Sequence, residues 1–355
     1  MNFKVKHIGE PKIIMSNNES DHNYFGWPTA VRLQNGSIAV GASGFRIEHI
    51  CPFGKSVLSM SVDEGESYSQ PLPVIDTVLD DRDTGLTAFG KSGLILTSFN
   101  NTTEFQRQNM PQTEECFEYI NSVSPQDEAE ALGSSFRISN DCGKTFGKIF
   151  KSPITSPHGP IVLNDGSILW IGNVYEKKNL IEAYILDPDS GAFTFRGRID
   201  VDETCGLDFN EPYAIQMPDG KIICHIRAED DKETVFTLFQ TVSYDNGKTW
   251  SKPEQILDIL GGAPAHLLLH SSGTLISAFS RRALPYGIRV IFSNDGGESW
   301  SDEHVIAEGY LSDDLGYPST VELDDGSLLT VYYAREGIDP PDVIMQQKWI
   351  PEKAD

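Results

Sequence analysis

Six segments of the chain share one pattern: an apolar run, a short polar turn with a glycine, and a second apolar run. "AVRLQNGSIAVGASG" is the first and "TVELDDGSLLTVYYA" is the last. The turn glycines are Gly36, Gly93, Gly166, Gly220, Gly273 and Gly326. Two apolar runs joined by such a turn are typical of a β-hairpin, so the pattern predicts six similar hairpins.

A second repeated phrase, Ser-x-Asp-x-Gly-x-Ser/Thr-aromatic, follows four of these hairpins. It begins at Ser61, Ser139, Ser243 and Ser293, and "DPDSGAFTF" from Asp187 is a weaker copy after the third hairpin. Its Asp carboxylate can accept hydrogen bonds from backbone N–H groups of its own turn, its Gly supplies a positive φ, and its aromatic residue anchors the next strand. We call this turn the Asp clasp, and it predicts a second hairpin in each unit.

Two hairpins per unit give four strands, which is one blade of a β-propeller. The sequence therefore predicts an all-β fold, a six-bladed propeller of four-stranded antiparallel blades, in which residues 1–355 form a single domain. The last unit has a hairpin and one more strand-like segment, "DVIMQQKWI", but no fourth strand. We expect the N-terminal "FKVKHI" or "PKIIM" to close the ring by supplying it.

The second unit is longer than the others because it carries an insertion at about residues 101–135. Within it, "SPQDEAEALG" has Ser124 as a helix N-cap, Pro125 at the first helical position and Gly133 as a stop signal, which predicts a short helix. Insertions in propellers lie on the loops. A lid over the site, an oligomer contact and an elaboration without function all fit this segment.

Composition narrows the classes of partner. The net charge is −24, from 28 basic and 52 acidic residues, which disfavours nucleic acids and anionic membrane surfaces. The chain start has no apolar signal segment, no run approaches a membrane span, and the five cysteines form no close-spaced pairs, so we expect a cytoplasmic protein. No nucleotide-binding or metal-binding spacing is present, and we expect no cofactor and no metal.

The end of the ring opposite the turn glycines gathers the starts of the first strands and the ends of the second strands, and we expect the functional site there. The candidates at the first-strand starts are Trp27, Arg82, Asp83, His158, Glu211, His266 and Tyr317. The candidates after the second strands include Arg46, Asn173, Tyr175, Glu176, Arg227, Arg281, Arg282 and Glu336. Polar and aromatic side chains dominate both sets.

The Asp clasps resemble the Asp-box, or BNR, repeats of the sialidase (neuraminidase) superfamily of six-bladed propellers. This resemblance implies a carboxylate clamp of arginines, a tyrosine nucleophile paired with a glutamate, and an acid that protonates the leaving group. Position by position, it implies Tyr317 in "GYPSTVELDDGSLLTVYYARE" as nucleophile, with Glu336 as a supporting glutamate. It implies Glu211 and Arg227 in "NEPYAIQMPDGKIICHIR" as the tyrosine's partner and one clamp arginine. Arg281, Arg282 and Arg289 all remain candidates for another.

Two positions depart from the superfamily pattern. Trp27 stands where the first clamp arginine is expected, and "FRIEHICPFGKSVLSMS" contains no aspartate where the acid is expected. Arg46 or Arg82 can rebuild the clamp, and His49 or Asp83 can deliver the proton, since neither role requires one particular side chain.

The expected function is a sialidase-like exo-glycoside hydrolase that removes a terminal acidic sugar from a small-molecule or oligosaccharide substrate. Two alternatives fit the same residues. One is a polysaccharide lyase, or a hydrolase of a different sugar, that uses His and Tyr for acid–base chemistry. The other is a propeller that binds glycans without catalysis. The oligomeric state stays open.

Overall fold

The computed structural model describes residues 3–202, 205–232, 234–257, 260–335, 337 and 341–353. Together these residues form 25 strands and three short helices. The strands make six antiparallel sheets, each a blade, and the first strands of successive blades contact one another around a central axis. The sequence prediction of a six-bladed propeller is confirmed.

The strand that begins the chain, β1 (Phe3–Met15), belongs to the last blade. Blade 1 contains β2 (Tyr24–Arg32), β3 (Ile38–Arg46), β4 (Lys55–Ser61) and β5 (Leu72–Ile75). Blade 2 contains β6 (Arg82–Phe89), β7 (Gly93–Phe99), β8 (Ser135–Ser139) and β9 (Phe150–Lys151). Blade 3 contains β10 (Ile154–Thr155), β11 (Ile161–Val162), β12 (Ile168–Val174), β13 (Ile181–Asp187) and β14 (Ala192–Ile199).

Blade 4 contains β15 (Asp208–Gln216), β16 (Ile222–Glu229), β17 (Phe236–Ser243) and β18 (Glu254–Gln255). Blade 5 contains β19 (Gly262–Leu269), β20 (Leu275–Arg281), β21 (Gly287–Ser293) and β22 (His304–Glu308). Blade 6 contains β23 (Gly316–Glu322), β24 (Leu328–Ala334) and β25 (Val343–Lys353), and β1 pairs with β25 as its outer strand. Both N-terminal segments named above lie in β1, separated by a register shift between Ile8 and Lys12.

The hairpin turns follow the predicted chemistry in five blades and differ in blade 2. Gly36, Gly166, Gly220, Gly273 and Gly326 have φ between 80° and 95°, the left-handed region that glycine adopts without strain. In blade 2 the turn glycine is Gly90, with φ 52°, whereas Gly93 is already the first residue of β7. A Cβ at Gly93 would lie 2.5 Å from the Phe89 ring, so this glycine is required for packing rather than for the turn.

The four Asp clasps have the predicted hydrogen bonds. Asp63, Asp141, Asp245 and Asp295 each accept a bond of 2.8–3.0 Å from the backbone N–H four residues later. The hydroxyl of that same residue also donates to each carboxylate. These bonds lower the pKa of all four carboxyls to about 2, although burial of Asp245 acts in the opposite direction.

The first strand of five blades contains a bulge at the end of the ring opposite the turn glycines. One residue of the bulge has a left-handed backbone in four blades: Trp27, Asp83, Glu211 and Tyr317, with φ between 47° and 54°. Such a conformation costs about 1–3 kcal/mol for a residue with a side chain, and it turns that side chain out of the regular alternation. The bulges thereby direct residues from different blades toward the axis.

The insertion in blade 2 forms three helices rather than the single helix that the sequence predicts. They are α1 (Thr103–Asn109), α2 (Glu114–Ser122) and α3 (Pro125–Ala131). The predicted helix is α3, and the Ser124 hydroxyl caps it by accepting from the backbone N–H of Asp127 at 3.1 Å. None of the three is long and apolar enough to cross a membrane.

Candidate active site

The bulges of blades 4 and 6 bring Glu211 and Tyr317 together. The Tyr317 hydroxyl donates a short hydrogen bond to Glu211 Oε1, although 105 residues separate the two positions. Tyr317 is only 4% exposed. Burial and the nearby charges of Glu211 and Asp83 raise the pKa of the phenol far above its usual value, so Tyr317 is protonated at neutral pH.

Arg227 binds the other oxygen of the same glutamate. Its Nη1 lies 2.9 Å from Glu211 Oε2, and its Nη2 lies 2.6 Å from Glu229 Oε2. The guanidinium also lies over the ring of Phe236, with Cζ 4.6 Å from the ring centroid. The two carboxylates hold Arg227 in one orientation beside the Tyr317–Glu211 pair.

Of the three arginines proposed for blade 5, Arg282 is the one near this pair. Its Cζ lies 5.6 Å from the centroid of the Tyr317 ring. It donates to the carbonyl oxygen of Leu315 and to the Tyr333 hydroxyl, both at 3.0 Å. Among the described residues no carboxylate lies within salt-bridge distance of Arg282, so its positive charge is available to an anionic ligand.

Arg281 and Arg289 lie elsewhere in blade 5. Arg281 pairs with Glu303 at 2.7 Å, and Arg289 pairs with Glu308 at 3.0 Å and donates to backbone carbonyls. Both acids belong to the outer part of the blade. The structure therefore does not bring these two arginines to the Tyr317–Glu211 pair, and spacing alone could not separate them from Arg282.

Arg227 and Arg282 both line a cavity of about 420 Å³, which we call the central cavity. Its lining includes His49, Arg227, Phe236, Leu260, Arg282 and Asp314. The lining thus combines two guanidinium groups with a histidine and an acid. Such a cavity, with few and convergent polar groups, is typical of a small-ligand site.

His49 is held by a network around Asp314. Asp314 accepts from the hydroxyls of Tyr24 at 2.9 Å and Tyr333 at 2.8 Å, and it lies 3.1 Å from Nδ1 of His49. The other ring nitrogen of His49 lies 3.3 Å from Nη2 of Arg82. Burial, with the charge of Arg82, lowers the pKa of His49 against the opposing effect of Asp314, so the imidazole is mainly neutral at pH 7.

Trp27, which replaces the expected arginine, lies beneath this network and is 1% exposed. Arg82 and Arg46 cover its ring, with their Cζ atoms 4.1 Å and 4.9 Å from the ring centroid. Arg46 is fully buried in an ion pair of 2.5 Å with Asp80 and is therefore not free to bind a substrate. Arg82 lies 3.4 Å from the same acid and is nearly buried behind His49.

Asp83 is the bulge residue of blade 2 and is 8% exposed. Burial raises the pKa of its carboxyl to about 7, and the negative charge of Glu211 adds to this effect while the charge of Arg82 opposes it. No hydrogen-bond partner of the carboxyl is found in the part of the chain that the structure describes. At neutral pH Asp83 is therefore a carboxyl that can hold or release a proton.

Two further predicted residues, His158 and His266, do not line the central cavity. His158 and His266 lie in the channel below, with their rings 5.2 Å apart, and Tyr213 stacks on His266 at 4.5 Å. Burial lowers the pKa of His158 to about 3 and that of His266 far below its usual value, so both stay neutral. Glu336 lies outside the described residues.

The helical insertion supports the loop that carries His49. Met110, Cys116 and Ile120 of the insertion are buried in one cluster, against which Ile47, Ile50 and Phe53 of that loop pack. The carbonyl oxygen of His49 in turn accepts from Arg46 at 2.7 Å and from Arg82 at 2.5 Å. The insertion therefore supports, from outside the central cavity, the loop that carries His49.

Sequence reasoning missed several residues that complete this site. They are Tyr24, Glu229, Phe236, Asp314 and Tyr333. A usable signal exists for two of them, because Tyr24 and Asp314 each precede the bulge residue of their blade by three positions. Asp80 has the same place in blade 2, three positions before Asp83, and it pairs with Arg46. Among the described residues no group of His, Cys, Asp and Glu is arranged to hold a metal ion.

Comparison with known proteins agrees with the repeat and the fold. The model of the BNR repeat-like domain family matches residues 108–331. No curated protein sequence matches the chain.

Three solved structures illustrate the fold similarity. A protein of unknown function from Dyadobacter fermentans has a TM-score of 0.79 at 19% identity, covering 98% of this chain and 99% of that one. The NanB sialidase of Streptococcus pneumoniae has a TM-score of 0.69 at 13% identity, covering 96% of this chain and 70% of that one. The intramolecular trans-sialidase of Ruminococcus gnavus has a TM-score of 0.67 at 12% identity, covering 96% and 97%. Identities this low are informative about the fold alone.

Proposed function

Because the chain belongs to the BNR repeat-like domain family and has a sialidase-like propeller, we propose that it is an exo-acting glycoside hydrolase for a terminal acidic sugar. The observation that carries this proposal is the hydrogen bond from Tyr317 to Glu211 beside two guanidinium groups. A phenol paired with a carboxylate base is a suitable nucleophile toward a sugar that already bears a negative charge. A site that only binds glycans has no need of such a base.

In the proposed first step, Glu211 accepts the phenolic proton as the Tyr317 oxygen bonds to the anomeric carbon. The bond from that carbon to the leaving oxygen breaks, and the oxygen takes its electron pair and a proton from Asp83. We assign this proton to Asp83 because its pKa of about 7 suits a general acid, whereas both ring nitrogens of His49 already have partners. In the second step a water oxygen bonds to the anomeric carbon and gives a proton to Asp83, while the bond to the Tyr317 oxygen breaks and the phenol takes its proton back from Glu211.

Binding of the substrate carboxylate is assigned to Arg282 and Arg227. Arg282 supplies the charge without a described counter-ion, and Arg227 is fixed in place by its two glutamates. A planar guanidinium presents two parallel donors to a carboxylate, which a lysine cannot do. This clamp has two arginines, and Trp27 stands where the resemblance implies another.

The test is turnover of a panel of aryl glycosides of acidic sugars by the wild type, Tyr317→Phe and Tyr184→Phe. Tyr184 is the matched control, because its hydroxyl also donates to a glutamate, Glu182, at 2.7 Å but lies in blade 3. We expect Tyr317→Phe to lose at least about a thousandfold in kcat and Tyr184→Phe to stay within about twofold. Equal activity of Tyr317→Phe and wild type would refute the nucleophile. An unsaturated product instead of free sugar would indicate a lyase.

A further inference from the structure

A second cavity, of about 460 Å³, lies at the same end of the ring between helix α1 and blade 3, and we call it the side cleft. Its lining includes Asn101, Phe105, Asn173, Tyr175, Lys177 and Asn210. Helix α1 belongs to the insertion of blade 2, so the wall that carries Phe105 exists because of that insertion. None of these side chains takes part in the proposed catalytic steps.

The side cleft adjoins the central cavity through blade 4. Asn210 lines the cleft and is the direct cross-strand partner of Arg227, which lines the central cavity. Directly opposed residues of an antiparallel pair have Cα atoms about 5 Å apart. Asn173 also lines the cleft, and its Oδ1 accepts from the backbone N–H of Glu211 at 3.0 Å. Arg227 is therefore one cross-strand pair, and Glu211 one hydrogen bond, away from residues that line the side cleft.

The blade 3 wall of the cleft is held in a fixed shape. Glu176 and Asn179 have left-handed backbones, with φ 57° and 58°. Asn179 Oδ1 accepts from the backbone N–H of Phe209 at 2.7 Å, and its amide nitrogen donates to the Leu207 carbonyl oxygen at 3.1 Å. The Tyr175 hydroxyl donates to the carbonyl oxygen of Asn100 at 3.1 Å, across to blade 2. Strained loop residues held by side-chain bonds are typical of binding sites formed before the ligand arrives.

The helical wall is held as firmly. Gln106 is fully buried and donates to the carbonyl oxygen of Asn101 at 2.7 Å, while Thr103 binds Glu128 of α3 through both its backbone N–H and its hydroxyl. On this fixed helix Phe105 is 40% exposed and faces the cleft. An exposed aromatic ring offers an apolar surface to the C–H face of a pyranose ring, and neighbouring amide groups offer hydrogen bonds to its hydroxyls.

We propose that the side cleft is a saccharide subsite, which binds the second and third sugars of an oligosaccharide whose terminal acidic sugar occupies the central cavity. The inference rests on the proposed function and makes it more specific. The substrate class is an oligosaccharide of at least three sugars rather than an acidic sugar that carries a small aglycone. Phe105 stacks on a pyranose ring, and the amides of Asn101 and Asn210 bind its hydroxyls.

The experiment uses the full chain carrying Tyr317→Phe, so that binding is measured without turnover. The probes are a printed array of acidic-terminated trisaccharides and longer oligosaccharides, and the same acidic sugars as methylumbelliferyl glycosides. Phe105→Ala is added, and Phe195→Ala in β14 is the matched control, since Phe195 is a 54% exposed phenylalanine that does not line the cleft. Phe105→Trp tests whether any aromatic ring restores binding.

We expect Phe105→Ala to weaken binding of the oligosaccharides about tenfold, which corresponds to about 1.4 kcal/mol, with no effect on the aryl glycosides. Phe195→Ala should change neither, and Phe105→Trp should retain the oligosaccharide affinity. Equal weakening of both probe types, an unchanged oligosaccharide affinity, or no oligosaccharide binding at all would overturn the subsite. Failure of the hydrolase proposal is distinguishable, since Phe105-dependent binding would then persist without release of sugar by the wild type.

Discussion

Replacing Asp83 by Asn should stabilise the folded protein at neutral pH while removing its proton donor. The carboxyl has a pKa of about 7 in the fold against its usual 3.8. Each tenfold change in proton affinity is worth about 1.4 kcal/mol, so ionised Asp83 destabilises the native state by on the order of 4 kcal/mol at most. Asn has nearly the same shape and no charge to bury, so the variant avoids this cost.

The sign of the effect depends on pH. Below about pH 4 the carboxyl is protonated in both folded and unfolded chains, and variant and wild type should be equally stable. As pH rises from about 4 to 7, only the folded chain keeps the proton, so wild-type stability falls relative to Asp83→Asn. Above about pH 7 the difference is complete, and for 355 residues about 4 kcal/mol corresponds to about 5 °C in Tm.

The assay is thermal unfolding of both proteins across this pH range, with turnover measured in parallel. Asp81 and Asp342 also have pKa values raised by burial to about 7, so the comparison with Asp83→Asn isolates the one carboxyl. Turnover should fall at least about a hundredfold and lose its alkaline limb near pH 7. A Tm difference that is the same at acidic and neutral pH would refute the raised pKa. Retained turnover would transfer the proton-donor role to His49.

Two further substitutions test the clamp and the insertion. In steady-state kinetics Arg282→Lys should raise KM at least about tenfold, because a lysine lacks the planar pair of donors. The control, Arg281→Lys, should change KM by no more than about twofold. Equal effects of the two substitutions would show that Arg282 does not bind the carboxylate. Ile120 is 1% exposed, so Ile120→Ala should lower the free energy of unfolding in denaturant by about 2–4 kcal/mol. It should also lower kcat, because the His49 loop loses packing. The control, Val62→Ala at an 85% exposed position, should leave the free energy of unfolding nearly unchanged. An unchanged kcat in Ile120→Ala would show that the insertion does not position that loop.

The blades were predictable from the sequence because their turn chemistry is local. A left-handed glycine such as Gly220 and a carboxylate that caps its own turn such as Asp245 need only neighbouring residues. The blade 2 turn differs for a reason that lies in packing: the Phe89 ring occupies the space that a side chain at position 93 would need.

The helices were harder to predict because α1 and α2 depend on distant packing. The segment "EECFEYINS" of α2 has only a narrow apolar stripe, and its Cys116 and Ile120 are buried by residues of the blade 1 loop. Short helices gain most of their stability from such tertiary contacts. By contrast, α3 carries its own cap at Ser124 and was found from the sequence.

In the site, strand position identified the residues that come together but not their partners. Tyr317 and Glu211 each lie nine residues before their turn glycine, whereas Asp83 has the same bulge position but a different spacing because the blade 2 turn differs. The choice between Arg281 and Arg282 depends on which side of the strand end each side chain leaves, and on Glu303, which lies just before β22 and pairs with Arg281. No spacing along the chain encodes these relations.

The covalent bond from Tyr317 to a sugar is the central claim, and mass spectrometry of a trapped adduct tests it most directly. The probe is a glycosyl fluoride of the acidic sugar with a second fluorine next to the anomeric carbon, which slows breakdown of the intermediate. We predict one added sugar mass, localised by peptide mapping to the peptide that contains Tyr317 and absent from Tyr317→Phe. Turnover of the parent sugar with no adduct, or an adduct on another residue, would contradict the account.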